Sequence, residues 1–312
     1  MQKIGNYDNV LNDSNSQTKF DNLNEREFLL HLFEALSGVL KEKFQKYVFY
    51  VFSTNDSSIL PGVINQNVDA DKAILIYVSE ERGFIPDQLR PYFKAIFKSY
   101  MPYEPGGNIF SFTLGHINDV VFPSGNLPKI KDRNINMFFS GNLHKNRSDL
   151  YRQFTVLRFV PLAVLIKMVR GPLRNIFLKL FGSNFSSVEK KMEIHFTNGF
   201  MRGYSKEEYK SFLLQTKILL CPKGFVSPET FRLFEGLNAG CIVISDKLPE
   251  LDIYKNVPVI QIDSWKEGLK KANELLSDPT LMQEIQDDGI MWWMNNCSYY
   301  VVANRISKII EG

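Results

Sequence analysis

The clearest pattern of apolar and polar positions lies within residues 217–250. The apolar runs Ile218–Cys221 and Cys241–Ser245 have the length of buried strands, and the stretch between them has apolar residues at helical spacing. We predict a strand, a polar turn, a helix over Pro228–Ala239 and a second strand. This order is a parallel β-α-β unit.

Residues with strong positional preferences mark the ends of this helix. Ser227 is a good N-cap, and Pro228 occupies the first helical position, where its missing N–H costs nothing. Gly240 lies where the chain must leave the helix. We therefore predict that the helix begins directly after Ser227 and ends before Gly240.

Similar patterns predict further elements on both sides of this unit. Before it, residues 1–22 are rich in Asn, Asp and Ser and predict a loose arm. Predicted strands are Tyr47–Phe52, Ala73–Val78, Ile109–Leu114, Ile135–Phe139 (followed by a turn at Ser140-Gly141-Asn142), Glu193–Thr197 and Val257–Ile262, and predicted helices are Glu25–Phe44, Asp87–Ser99, Lys206–Gln215, Trp265–Leu276, Asp278–Trp293 and Tyr299–Ile310.

The length of 312 residues fits two domains. Phe122–Arg133 contains two Pro and one Gly and is a predicted linker. We expect one domain over 1–130, a second over 131–290, and a C-terminal helix over 291–312. The predicted fold class is α/β, with two Rossmann-like domains facing a cleft.

The central helix carries a stripe of charge. Glu229, Arg232 and Glu235 are three residues apart and share one face. A helix that starts at the carboxyl end of a strand is a ready phosphate site, and the planar cation of Arg232 suits a diphosphate. Glu235 could then accept hydrogen bonds from ribose hydroxyls. The alternative is an i,i+3 salt bridge on a solvated helix face.

Two blocks of sequence resemble a known enzyme family. The block CPKGFVSPETFRLFEGLNAGCIVISD, with Cys221-Pro222, Arg232, Glu235 and Ala239-Gly240-Cys241, is similar to the donor-binding core of exostosin-like glycosyltransferases. INMFFSGNLHKNRSDL, which contains Arg147, resembles a second segment of that family. The likeness runs from about Ile135 to Ile262 and is good only in these blocks. Ser227 stands where the wider group often has an acid.

The resemblance implies a GT-B-like enzyme with an acceptor-side domain over 1–130, a nucleotide-sugar-binding domain over 131–290 and a C-terminal helix over 291–312 that packs back on the first domain. Such an enzyme moves a hexose or pentose from a nucleotide-sugar donor, by analogy UDP-linked, to a glycan or lipid-linked acceptor. It further implies an inverting reaction in polysaccharide biosynthesis. For Arg147 the alternative is a surface ion pair with Asp149 or Asp132. The expected donor-binding residues are Gly141, Asn142, Arg147, Ser227, Thr230, Arg232 and Glu235.

An inverting reaction needs a base for the acceptor hydroxyl. We expect this base on the first domain, in the polar residues after its strands. His116 and Glu80 are favoured over Asp56, Glu81 and Asp119. The alternative for His116, which follows a Gly in a loop, is a surface or hydrogen-bonded histidine.

No pattern of metal ligands stands out. Asp69-Ala70-Asp71 has the Asp-x-Asp form of metal-dependent transferases, but it precedes a strand and predicts a turn. The three Cys lack zinc spacing, and their odd number favours a reducing compartment. Phosphate-binding glycine loops are absent. We therefore expect no required metal and no cofactor beyond the donor.

The net charge is only +3, which argues against a nucleic-acid partner. Six Lys or Arg and no acid lie between Tyr151 and Gly182, so residues 152–179 could rest on an anionic membrane. The alternative is a pair of packing helices broken at Gly171-Pro172. The first residues lack the apolar core of a signal peptide, and we expect a cytoplasmic protein, peripheral at most to the inner face of a membrane.

Two rival functions stay open. One is a catalytically inactive protein that keeps the nucleotide-sugar fold and serves a glycan-assembly complex. The other is a GDP-fucose-dependent fucosyltransferase. Nucleotide binding without turnover favours the first rival, and preference for GDP over UDP favours the second.

Overall fold

The computed structural model describes residues 1–122, 125, 127–169, 173–199 and 202–312. The strands are β1 (Gln2–Ile4), β2 (Tyr7–Asn12), β3 (Val48–Ser53), β4 (Ala73–Val78), β5 (Ala95–Lys98), β6 (Ile109–Ser111), β7 (Ile135–Asn142), β8 (Met192–Thr197), β9 (Thr216–Cys221), β10 (Ile242–Asp246) and β11 (Ile260–Ile262). The helices are α1 (Arg26–Leu40), α2 (Ser148–Gln153), α3 (Leu162–Met168), α4 (Leu173–Phe181), α5 (Lys206–Gln215), α6 (Phe231–Asn238), α7 (Trp265–Leu275), α8 (Pro279–Asn296) and α9 (Tyr299–Glu311).

The chain divides into two compact units, each with its own sheet. The first unit comprises Met1–Asp119, Pro249–Asn256 and Met294–Gly312, and the second comprises Val120–Leu248 and Val257–Trp293. Apart from the antiparallel pair β1–β2, the strands of both sheets pair in parallel. The predicted α/β class with two parallel sheets is confirmed.

The sheet of the first unit runs in the order β1-β2-β3-β4-β5-β6. Helices α1 and α9 pack together, and their apolar residues form one core with those of the strands. The end of α9 is held by Tyr47, whose hydroxyl donates to Ile310 O at 3.2 Å and to Glu311 Oε1 at 2.6 Å. This single core explains why the last helix belongs to the first unit.

The N-terminal residues are not the loose arm that their composition predicts. Ile4 and Val10 are buried, and β2 pairs in parallel with β3. The polar side chains find distant backbone partners: Asn9 Nδ2 donates to Phe44 O at 2.7 Å, and the Asp13 carboxylate accepts from Gly62 N at 2.8 Å. The prediction was wrong because these amide and acid groups are satisfied inside the fold.

The predicted helix Asp87–Ser99 is also wrong. Residues Asp87–Tyr92 form a 3₁₀ turn that contains Pro91, and the next residues form β5. All four residues of β5 are buried, because the strand lies between β4 and β6. Proline removes a helical hydrogen bond, and the apolar run that follows fits a fully buried strand better than one face of a helix.

The sheet of the second unit runs in the order β11-β10-β9-β7-β8. Its core joins apolar residues of these strands to those of α2, α3, α4, α7 and α8. Strand β7 continues to Asn142, so the turn that the sequence predicts at Ser140-Gly141-Asn142 is instead the end of the strand, paired with β8. Helix α5 matches its prediction and begins with a capping box at Ser205 and Glu208.

Gly240 ends α6 as predicted. It has φ +69°, the left-handed region that favours glycine. Cys241 N donates to Gly236 O at 2.8 Å and Gly240 N donates to Leu237 O at 3.1 Å, which is the Schellman arrangement. The chain therefore turns directly from α6 into β10.

A buried arginine fixes the same end of α6. Arg133 is 2% exposed. Its Nη2 donates to Ala239 O at 2.6 Å, and its Nη1 donates to Leu213 O at 3.2 Å and to Thr216 O at 2.8 Å. These carbonyl oxygens lie at the C-terminal ends of α6 and α5. Arg133 is the last residue of the predicted linker, and residues 123, 124 and 126 of that linker lie outside the described residues.

The predicted helix break at Gly171-Pro172 also lies outside the described residues.

Replacement of Arg133 by Met should lower the free energy of unfolding by roughly 3 kcal/mol or more, because several buried carbonyls lose their donor at once. Urea denaturation measures this loss. The matched control is Arg82→Met at an exposed position, which should change stability by less than about 0.5 kcal/mol. Equal stability of the two variants would contradict the role of Arg133.

Candidate functional site

The strand order of the second unit creates a crevice at one end of the sheet. The chain leaves β7 toward β8, and it leaves the neighbouring strand β9 toward β10 on the opposite side. Because these connections run apart, space opens at the carboxyl ends of β7 and β9, where sheets of this type bind ligands. Each donor-binding residue that the sequence predicts lies at the end of β7 or in the connection after β7 or β9.

A side-chain amide joins the two connections. Asn146, which follows β7, donates through Nδ2 to Gly224 O at 2.7 Å and to Phe225 O at 2.9 Å in the turn after β9. In the same turn, Lys223 N donates to Asp246 Oδ2 at 2.7 Å, which ties in the end of β10. Hydrogen bonds therefore fix the walls of the crevice.

Arg147 and Arg232 bring their guanidinium groups together beside the end of β7. Arg147 Nη1 donates to the backbone oxygen of Asn142 at 3.0 Å and to its Oδ1 at 2.9 Å. Arg232 Nη2 donates to Ser140 O at 2.5 Å. Both groups lie over the Phe139 ring, with Cζ 5.6 Å and 5.1 Å from its centroid, a distance that is favourable for cation–π attraction. We call these two groups the guanidinium pair.

Gly141 makes this convergence possible. A Cβ atom at Gly141 would lie 2.7 Å from Arg147 Nη1 and 2.9 Å from Arg232 Nη2. Both nitrogens are therefore within 3.0 Å of the same point. Two like charges so close repel by roughly 2–4 kcal/mol at the effective dielectric of a partly buried site. An anion between them would remove that repulsion.

Burial and backbone contacts distinguish these two arginines from the surface ion pairs that the sequence left open as alternatives. Within the described ranges, Arg232 has no carboxylate at ion-pair distance, because its guanidinium turns toward Ser140. Arg147 is 7% exposed and so is not a surface residue. Asp149, one of the partners considered for Arg147, forms an ion pair with Arg152 at 2.8 Å.

A neutral histidine lies next to the guanidinium pair. Burial, and then the charges of Arg147, Arg174 and Arg232, lower the pKa of His144 from 6.5 to about 3. The imidazole stacks on Phe225, with centroids 4.5 Å apart. Both ring nitrogens are buried without a hydrogen-bond partner in the described part of the chain. His144 therefore adds polar atoms but no charge to the crevice.

Helix α6 begins later than the sequence predicts. Thr230, not Ser227, is the N-cap. Ser227 Oγ accepts from Glu229 N at 3.1 Å, a local turn that holds residues 227–229 outside the helix. The Thr230 hydroxyl is buried and makes no hydrogen bond to the described residues. Together with the first backbone N–H groups of α6, which have no partner inside the helix, it provides donors for an anion.

Glu235 lies one turn further along α6 and is 1% exposed. Its Oε2 accepts from the Tyr209 hydroxyl at 3.1 Å. Burial raises the pKa of the Cys221 thiol at the end of β9, and the charges of the guanidinium pair and of Glu235 also act on that thiol. The acid and the two cations therefore surround the same strand end.

Glu80, one of the two predicted bases, is inside the first unit. Its side chain has no exposed surface and forms a 3.0 Å ion pair with Lys98. Its two oxygens also accept from the backbone N–H groups of Arg82 and Phe84, each at 2.9 Å. These contacts engage the carboxylate fully and favour a structural role at the end of β4.

His116, the other predicted base, is 2% exposed. Its Nδ1 donates to Ile117 O at 2.9 Å, and its Nε2 lies 2.9 Å from the Tyr299 hydroxyl, which can donate to it. Burial lowers the pKa of His116. These contacts fit the alternative from the sequence, in which His116 is a hydrogen-bonded histidine. We therefore assign the catalytic base to neither His116 nor Glu80.

Sequence reasoning missed Phe139, His144, Asn146 and Tyr209. Asn146 meets a carbonyl 78 residues away, and Tyr209 meets an acid 26 residues away. No spacing rule joins positions so far apart, so the fold alone reveals them. Asn146 carries one weak signal, since it adjoins Arg147 in a block that resembles the family.

The described part of the chain contains no group of three or more His, Cys, Asp or Glu side chains placed to share a metal ion. Asp69-Ala70-Asp71 forms the turn that the sequence predicts: Asp71 N donates to Asp69 Oδ1 at 3.1 Å, and Asp69 pairs with Lys72 at 2.7 Å. The three cysteines are buried and free. That catalysis needs no metal stays a prediction.

The low pKa of His144 should make stability fall in mild acid. Below pH 6.5 the unfolded chain binds a proton at this residue that the folded chain, with a pKa of about 3, does not. The free energy of unfolding should therefore drop by roughly 2 kcal/mol between pH 6.5 and about pH 5. His144→Phe keeps the stacking and should remove this part of the slope in urea denaturation. If the stability of the wild type and of His144→Phe fell in parallel with pH, the low pKa of His144 would be refuted.

Comparisons with known proteins support the fold. No family model matches this chain, and a comparison with curated protein sequences found no match, so the exostosin-like resemblance is not confirmed. The chain is similar to the crystal structure of TarM (TM-score 0.51, 11% identity), over 89% of this chain and 58% of TarM. It is also similar to an alpha-glucosyltransferase solved with UDP and a 13-mer DNA containing an HMU base (TM-score 0.51, 12% identity), over 90% of this chain and 84% of that one. These likenesses confirm the GT-B-like fold class.

Proposed function

We propose that this protein is a glycosyltransferase that moves a sugar from a nucleotide-sugar donor, UDP-linked, to a glycan or lipid-linked acceptor. The observation that carries the proposal is the guanidinium pair beside Gly141 at the carboxyl ends of β7 and β9. A fold shared with an alpha-glucosyltransferase solved with UDP supports it.

In this proposal the diphosphate of the donor lies between Arg147 and Arg232. Planar guanidinium groups bind phosphate oxygens through paired N–H donors. Gly141 leaves room for the ends of both guanidinium groups, which a side chain at this position would displace. Asn142 holds Arg147 in place through its Oδ1 and backbone oxygen.

The start of α6 supplies further donors. In this proposal the Thr230 hydroxyl and the first amides of the helix also donate to the diphosphate, because the structure gives the buried hydroxyl no other partner among the described residues. Ser227 shapes the turn that leads to them. Glu235, kept in position by Tyr209, would accept hydrogen bonds from the ribose hydroxyls, as the family resemblance implies.

Catalysis would come mainly from stabilisation of the leaving group. Negative charge builds on the diphosphate as the sugar leaves, and fixed cations and dipoles that are already in place stabilise it. Two guanidinium groups can supply the charge that a divalent metal supplies in other transferases. We therefore propose an inverting, metal-independent reaction.

Isothermal titration calorimetry with UDP tests donor binding. Wild-type protein should bind UDP, with an affinity that EDTA does not change, and Arg232→Gln should weaken binding about tenfold or more, since a charged hydrogen-bond donor to phosphate is lost. GDP in place of UDP provides the comparison. Tighter binding of GDP would select the fucosyltransferase rival, and failure to bind either nucleotide would refute the proposal.

Turnover separates the enzyme from the inactive rival. We expect wild-type protein to release UDP from at least one UDP-sugar, and faster when an acceptor is present. Binding of UDP without release of UDP from any donor would favour the glycan-assembly binding protein.

Gly141→Ala tests the geometry. The added methyl group would displace the ends of two flexible side chains, so the fold should keep its stability while UDP binding weakens by about tenfold or more. The matched control is Gly38→Ala in α1, where a methyl group meets nothing within 4 Å. The control should bind UDP like the wild type. Unchanged affinity in Gly141→Ala would contradict the placement of the diphosphate.

A further inference from the structure

The connection between β7 and β8 exposes an unusual number of apolar side chains. Phe159, Val156 and Leu180 are 80%, 73% and 72% exposed. Among the described residues, 17 large apolar side chains are exposed, and seven of them fall within residues 156–180. These seven are Val156, Phe159, Val164, Met168, Leu173, Ile176 and Leu180.

The same segment is rich in cations. Between Tyr151 and Gly182 there are six Lys or Arg and no acid. Arg158, Lys167 and Lys179 are exposed. The Arg158 guanidinium lies over the neighbouring Phe159 ring, 4.9 Å from its centroid. We call the seven apolar side chains and these three cations the apolar-basic surface.

The other side of the segment is anchored in the core. Leu157, Leu165 and Phe177 are buried in the cluster that joins the helices to the sheet. The Tyr151 hydroxyl donates to Phe177 O at 3.2 Å and to Gly182 O at 2.8 Å. One face of the segment is therefore packed against the core, and the exposed apolar side chains lie on the other face.

We propose that the apolar-basic surface binds a membrane that contains anionic lipids. Apolar side chains would enter the boundary between headgroups and acyl chains, and the cations would meet lipid phosphates, as in other interfacial helices. α3 and α4 are short, and no described helix is long and apolar enough to cross a membrane. The segment would therefore lie on the membrane surface.

The charge pattern favours lipid over two other occupants. A second copy of this chain would oppose cations with cations, because residues 151–182 contain no acid. Single-stranded nucleic acid is bound through aromatic rings that stack on bases, and six of the seven exposed apolar residues are aliphatic. The inference goes beyond donor binding and needs no nucleotide, although it would bring a lipid-linked acceptor to the enzyme.

Sedimentation of the full chain with lipid vesicles tests the proposal. Wild-type protein should bind vesicles of phosphatidylcholine with about a third phosphatidylglycerol and should bind pure phosphatidylcholine at least about tenfold more weakly. Phe159→Ser with Leu180→Ser, and separately Lys167→Gln with Lys179→Gln, should each weaken binding about tenfold or more.

Matched variants control for general surface effects. One control is Val188→Ser, at a residue that is 97% exposed and lies outside residues 156–180. The other control is Lys266→Gln with Lys270→Gln in α7. Both should bind vesicles like the wild type, and all variants should keep the wild-type melting temperature. Equal vesicle binding by every variant would overturn the proposal.

Two further results would also overturn it. A wild-type dimer in sedimentation velocity that Phe159→Ser with Leu180→Ser converts to monomer would assign the surface to a second copy. Binding of an oligonucleotide that Lys167→Gln with Lys179→Gln abolishes, without vesicle binding by the wild type, would assign it to nucleic acid. Loss of UDP binding alone would leave the vesicle results unchanged, so this inference and the proposed function can fail separately.

Discussion

Two positive charges held side by side at the end of one strand are the constraint on which the second unit depends. The chain brings Arg147 and Arg232 within 3.0 Å of one point, although like charges repel there. Backbone oxygens of Ser140 and Asn142 and the face of Phe139 offset part of that repulsion. Two guanidinium groups this close together suit the charge of a diphosphate, and that fit is the chemical basis of the proposed donor site.

The fold supplies the stiffness that such an arrangement needs. Arg133 and the glycine turn at Gly240 fix the far end of α6, and Asn146 ties the connection after β7 to the turn after β9. His144 remains neutral because it is buried beside cations, so it does not add a third charge. Arg133 and Asn146 bind backbone oxygens that are distant in sequence, so the fold of the whole unit frames the guanidinium pair.

The sequence predicted the parts of this site that depend on local rules. Positional preferences located Gly240, apolar spacing located α5, and helical spacing with the family resemblance pointed to Arg232. Local rules cannot predict hydrogen-bond partners that are distant in sequence. The N-terminal strands were missed because their polar side chains bond to distant backbone, and β5 was missed because a buried strand and a short helix share one apolar pattern. Ser227 was given the N-cap because an alternative local turn has the same signature.

The account therefore depends on where a diphosphate binds. The most direct measurement is a crystal structure of the chain grown with UDP. We predict diphosphate oxygens within hydrogen-bonding distance of both Arg147 and Arg232, in the space above Gly141, with the ribose beside Glu235. UDP bound elsewhere on the chain, or bound with either guanidinium turned away from the phosphates, would contradict the account.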